Sequence, residues 1–192
     1  MSSPREIPCL YFDAPGPANT RATLERAAAR AGELDIRNVV VASTSGRTGL
    51  LAAPLFAGRN LVVVTHSTGF RGPDVQELPA EARRSLEQAG ARVLTAQHAL
   101  GGVGRAVRKK LKTYELEEIM AFTLRVFGQG TKVAIEIALM AADAGLIPTG
   151  SPCVSIGGSD EGADTALLLK PANAQDFFDL QVLEVLAKPR HL

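Results

Sequence analysis

Only two cysteines occur, Cys9 and Cys153, far apart and both in apolar strand-like surroundings. That excludes a disulfide framework and fits a reducing compartment, with both thiols read as small core residues. Histidine is equally scarce: His66, His98 and His191 share no metal-ligand spacing, so no zinc site is expected. Charge of one sign is not in excess, because 21 basic and 20 acidic residues leave a formal net charge of +1. Such a balance gives no global field for nucleic acid or an anionic membrane. No run reaches the roughly 18 apolar residues of a spanning helix, and the segment Met1 to Phe12 has no signal-like apolar core. A cytoplasmic, soluble protein without membrane or nucleic-acid partners is therefore expected. Two phosphate motifs are also missing. No Gly-Lys-Ser/Thr completes a Walker loop and no three-glycine dinucleotide fingerprint occurs, which argues against nucleoside triphosphate hydrolysis.

What is present is enough for one sizeable core: 192 residues, 46% of them hydrophobic, read as a single domain over 1–192. Strand-like runs occur at Pro8–Phe12, Asn38–Ala42, Asn60–Thr65, Arg92–Ala96, Cys153–Gly157, Ala166–Lys170 and Val182–Ala187. Helical patterns separate the early ones; in Thr20–Leu34, Leu24, Ala27, Ala28 and Ala31 share one face behind a capping Asn19 or Thr20. This alternation predicts βαβ units and a mainly parallel sheet covered on both faces. The short loop between Cys153–Gly157 and Ala166–Lys170 cannot hold a parallel crossover, so that pair is expected to be antiparallel and the sheet mixed.

The densest chemical signal is Val39 to Gly49, VVVASTSGRTG, where a buried-type strand runs into a hydroxyl- and glycine-rich turn. A helix is predicted to begin there and run through Leu50 to Phe56. Its free N–H groups and positive dipole end favour an anion. Gly46 offers close backbone approach, Ser43, Thr44, Ser45 and Thr48 add donors, and Arg47 adds a charge-assisted bond. The same residues also suit a plain helix cap. The loops at Thr65–Phe70 and Gln97–Gly102 follow strand ends as well, and ligands of such sheets bind at that rim.

Beyond Gly102 two helical stretches are predicted, Arg105–Lys112 and Leu116–Ala144, the second interrupted at Gly128-Gln129-Gly130. Thr131–Ala144 is apolar almost all round, as in a helix buried between layers. Its polar seam of Lys132, Glu136 and Asp143 reads either as a pair supporting the helix or as a carboxylate reaching the ligand rim. His66 and His98, at strand ends, suit a general base or a flavin partner, or a bond to backbone. The cations at Arg105, Arg108, Lys109, Lys110 and Lys112 have no interleaved aromatics and read as a solvated helix face. Asp160 and Glu161 lack a third oxygen ligand for a cation.

The pairing of VASTSGRTG with the downstream IGGSDEGADTALLLKPA resembles the carboxyl-terminal domain of pyruvate kinase. The chain is more closely similar to small stand-alone proteins of that type, through YFDAPGPANT, VVVTHSTGF, KVAIEIALMAADAGLIP and GGSDEGADTALLLKPA, which together cover nearly its whole length. The resemblance implies a three-layer α/β sandwich with a mainly parallel, mixed sheet of central order 3-2-1-4-5. It also implies a phosphorylated ligand, FMN in the stand-alone proteins, held between the loop at Ser43–Thr48 and that at Gly157–Thr165. A kinase barrel takes about 250 residues, so no pyruvate kinase activity is expected.

For FMN, the backbone of Ser45, Gly46 and Arg47 would hold the phosphate. Asp164, Thr165, Gly157 and Gly158 would meet the ribityl chain, and Phe70 with Thr65–Gly69 would flank the ring. The alternative is a sensor or effector module for a sugar phosphate or related phosphometabolite. Catalysis and the homo-oligomeric state stay open.

Overall fold

Valine-rich strands buried on both faces set the architecture. The computed structural model describes residues 4–191; positions 1–3 and 192, the outer ends of the expected domain, lie outside the described residues. Seven strands are described: β1 (Leu10–Phe12), β2 (Asn38–Ala42), β3 (Asn60–Thr65), β4 (Arg92–Thr95), β5 (Cys153–Gly157), β6 (Thr165–Lys170) and β7 (Gln181–Pro189). They form one sheet in the order β1-β7-β6-β5-β2-β3-β4. Counted from β2, the central five stand as 3-2-1-4-5, as expected. The whole sheet differs in detail, because β7 and β1 extend it beyond β6.

β2, β3, β4 and β5 pair in parallel, whereas β6 runs antiparallel to both β5 and β7. The pleat sends alternate side chains to opposite cores. Val39, Val41 and Val63 join Leu24, Ala27, Ala52 and Leu86, from α1 (Thr20–Glu33), α2 (Arg47–Leu55) and α3 (Ala80–Gln88). Val40, Val62 and Val64 join Ala134, Ala138 and Leu139 from α6 (Gln129–Asp143) on the other face. Three layers follow. Burial of each such valine or leucine stabilises by roughly 1.5–3 kcal/mol against full exposure.

Between β4 and α6 come α4 (Gly104–Leu111) and α5 (Leu116–Arg125). The helix after β2 begins at Arg47, inside the hydroxyl-rich turn as expected, and ends at Leu55. Helix α3 has a strongly charged sequence, AEARRSLEQ, and buries only Leu86; it gave too little apolar periodicity to be delimited from sequence.

The feature that positions the site is how closely α6 approaches the sheet. A Cβ on Gly157 would lie 2.6 Å from the Gly130 carbonyl oxygen, and one on Gly130 would lie 2.1 Å from Thr165 Oγ1. The Ser155 hydroxyl, inside β5, donates to the Ala134 carbonyl at 2.6 Å and fixes the helix lengthwise. Gly130→Ala is expected to cost roughly 1–3 kcal/mol through forced displacement at this crossing. Urea denaturation checks it, and an unchanged midpoint would mean that the crossing yields freely.

Candidate functional site

A cleft of about 770 Å³ opens at the carboxyl ends of β2 and β3, within the range of small-molecule sites. Thr44, Ser45, Arg47 and Thr48 line one side, with Ser43 at its base. Ser43 is structural in part: its N–H donates to Val64 at 2.9 Å, and its Oγ accepts from Gly49 N–H at 3.1 Å, capping α2. The first-turn amides of Arg47 and Thr48 then remain beyond the reach of any helical carbonyl. Gly46 has another task. Its φ of 89° is left-handed, and an added Cβ would lie 2.9 Å from Ala82 Cβ and 3.0 Å from a Leu78 methyl. That close approach is to α3, not to the cleft, so a substitution at Gly46 would disturb the fold along with any ligand.

The loop from Gly157 to Thr165 forms the facing wall. Arg47 joins it through an exposed ion pair to Glu161 at 3.1 Å, so the two loops do face each other. Gly158, Ser159, Asp160, Glu161 and Gly162 line the cleft. Asp164 and Thr165 are fully buried beneath them. One Asp164 oxygen accepts from Gly16 and Ser159 N–H, both at 3.1 Å, and the other accepts from the Thr165 hydroxyl at 2.8 Å. Those two residues hold the loop's shape, and their side chains do not line the cleft. Gly157 is likewise occupied, packed on α6. Thr65 does reach the cleft, its hydroxyl 2.7 Å from that of Thr95. Gly69 faces a side lobe of about 580 Å³, and Phe70 stands between lobe and cleft with His98 and Arg105.

The sequence pattern of the family described as pyruvate kinase, alpha/beta domain, matches residues 21–169. The chain belongs to this family. Among solved structures, it is similar to a pyruvate kinase from Cryptosporidium parvum, with 13% identity and a TM-score of 0.42, over 80% of this chain and 23% of that one. A C. parvum pyruvate kinase in complex with ADP gives 16% identity and a TM-score of 0.41, over 81% and 24%. The chain thus spans about a quarter of the length of these enzymes.

Within this family fold, residues outside the two loops add further charge to the cleft. Lys132 and Glu136, one turn apart on α6, are both buried and joined by a short ion pair. The other Glu136 oxygen accepts from Leu100 N–H at 3.0 Å, and His98 Nδ1 lies 3.7 Å from the carboxylate. The polar seam therefore serves both readings offered by the sequence: it braces the helix and it lines the rim. Asp143 leaves the seam, accepting from Asn173 Nδ2 and Ala174 N–H at the far end of α6. Arg125, Gln129, Arg71 and Glu77 also line the cleft without having been site candidates in the sequence, and so does Arg105, which was read as part of a solvated helix face but lies over the Phe70 ring. The available signal was a Lys-Glu pair at i, i+4 in a helix with no polar face to present to water.

Burial holds the Lys132 ammonium below its ordinary pKa, with Glu136 opposing that shift. Burial also lowers His98 to about 4, only partly opposed by Glu136, so its imidazole is neutral at physiological pH. Its Nε2 accepts from Ser67 N–H at 3.4 Å, which leaves the proton on Nδ1 toward Glu136. His66 differs: its Nδ1 bonds Glu77 at 2.8 Å. Burial acts to raise the Glu77 carboxyl, but the bonds to His66 and Arg71 outweigh it and leave it lowered.

An unfolded chain protonates His98 near 6.5, the folded one near 4. The resulting stabilisation is complete above about pH 6.5, declines as pH falls through that interval, and is lost below about 4. Thermal unfolding across it should show a decline worth up to roughly 3 kcal/mol. His98→Gln should flatten that part of the profile; an unaltered slope would assign it to other groups.

Proposed function

We propose that this chain binds a phosphorylated small molecule in the cleft, with FMN as the first candidate. The observation that carries the reading is the chemical division of the cleft. One end has the first-turn amides of α2, Thr44, Ser45 and Arg47, a donor set suited to a phosphate. The floor is apolar, from Val64, Ile137 and Met140, with Lys132 beside it. A flat ring joined to a phosphate by a polar chain matches that order of surroundings, and the backbone of Gly158 and Ser159 lies between the two ends. Lys132 offers a cation to an electron-rich edge of such a ring.

A second reading rests on Phe70. His66 stacks on its ring at 4.0 Å and His98 at 5.0 Å, with the Arg105 guanidinium 4.6 Å from its centre. An aromatic already engaged in this way favours a smaller ligand, a sugar phosphate or related phosphometabolite, and a sensor or effector role. Neither reading includes pyruvate kinase activity.

The absorption spectrum of freshly purified protein, with mass analysis of what denaturation releases, separates them. A flavin spectrum that bleaches with a reductant is expected. FMN added to ligand-free protein at about a hundred times Kd should raise the Tm by roughly 5–10 °C. Colourless protein with no shift on adding FMN would sink the flavin assignment, and a shift with a sugar phosphate would select the second reading. Arg47→Ala should weaken binding by roughly 10- to 100-fold through loss of a charge-assisted bond. Unchanged affinity would move the phosphate elsewhere.

A further inference from the structure

Helix α5 presents its apolar face outward. Leu116, Ile119, Phe122 and Val126 fall at spacings of three, three and four, and each is more than half exposed, Val126 reaching 76%. Tyr114 and Phe127 extend the face at either end, at 53% and 62% exposure, and Tyr114 meets Phe122 edge-on at 5.6 Å. The opposite side of the helix already has partners: Ala121 is buried, and buried Glu118 accepts from Arg108 at 2.7 Å. The stripe is therefore additional to what α5 needs for packing.

At such exposure, side chains of this size each offer on the order of 100 Å². The six give roughly 600 Å² per chain, the top of the range for a monomer's largest apolar patch and the share of one partner in a specific interface of about 1,200 Å². Exposed charge of both signs borders the stripe, Glu117 on one side and Lys109, Lys110 and Lys112 on the neighbouring α4 segment. Across a two-fold axis Glu117 of one copy can meet these lysines of the other, and the paired area reaches what a specific dimer needs.

We infer that this face is where two copies of the chain pair, α5 against α5, in an isologous dimer. Pairing at this face requires no ligand in the cleft; Arg125, which lines the cleft, stacks on Phe122 at 5.0 Å. Light scattering on the eluting full-length protein should give twice the chain mass at concentrations of tens of micromolar. Ile119→Glu and Phe122→Glu should each raise the dimer Kd about a hundredfold or more, with circular dichroism retained because both side chains face solvent in the single chain, and with Tm lowered only to that of the dissociated chain. Phe122→Leu should retain the dimer. A monomeric wild type, or a dimer indifferent to both glutamates, overturns the inference. So does a wild type that stays monomeric and co-sediments with phosphatidylglycerol vesicles but not with phosphatidylcholine ones, since a lipid surface would then be the occupant.

Discussion

The cleft depends on one steric constraint, the approach of the α6 amino terminus to the ends of β5 and β6 with no side chain between them. Gly130 and Gly157 make that approach possible, and the clash distances of 2.1 and 2.6 Å show how little room a methyl group would have. Its consequence is electrostatic as much as steric. The first turn of α6 carries Gln129 and Lys132 to the cleft wall, opposite the first turn of α2. Two positive helix ends then face one space, a placement that neither helix would produce alone.

Burying Lys132 creates an obligation that the surrounding residues meet together. An unpaired ammonium in this position would be strongly unfavourable, and breaking such a pair typically costs about 3–5 kcal/mol. Glu136 supplies the counter-charge, and the Leu100 amide satisfies its second oxygen. Through that amide, the loop after β4 is held against α6. His98, on the same loop, is driven neutral by its burial and adds no second positive charge beside Lys132. The result is one compensated ion pair at the floor, with the uncompensated donors displaced toward the α2 end.

The fold was legible because its signals are local. Continuous valine runs at Val39–Val41 and Val62–Val64 mark strands covered on both faces, and the short glycine-rich link before β6 forced an antiparallel turn. The lining of the candidate cleft was legible in its loops and less so in its walls. Hydroxyls and glycines at 43–48 and 157–165 were found, but which of them face a ligand depends on long-range contacts. Asp164 was read as a ligand partner because a carboxylate in a glycine-rich loop accepts readily. Its carboxylate accepts from Gly16, 148 positions away, and from Ser159. Gly46 was read as making room for a ligand, yet the room it makes is for Ala82. Arg125 and Glu77 carried no sequence signal, since a charged residue near a helix end or in a loop is ordinarily solvated.

Those internal contacts narrow what recognition of the proposed ligand would rest on. With Asp164 and Thr165 committed to the loop's own architecture, no free carboxylate from the buried end of the loop remains for hydroxyl groups of a ligand. The facing wall then offers chiefly backbone from Gly158 to Gly162, with Asp160 and Glu161 at the exposed lip. Backbone groups distinguish ligands by shape and by the position of polar atoms, and only weakly by charge. For the proposed phosphate, charge discrimination would fall to Arg47 and the α2 amides, because Lys132 is already compensated by Glu136. Arg47 is itself tied to Glu161, so an anion arriving at the loop competes with that carboxylate for the guanidinium. Both side chains of the pair are exposed, and such pairs contribute about 0–1 kcal/mol. A phosphate bound as proposed, collecting the helix amides as well, would displace that carboxylate at the cost of only a weak contact.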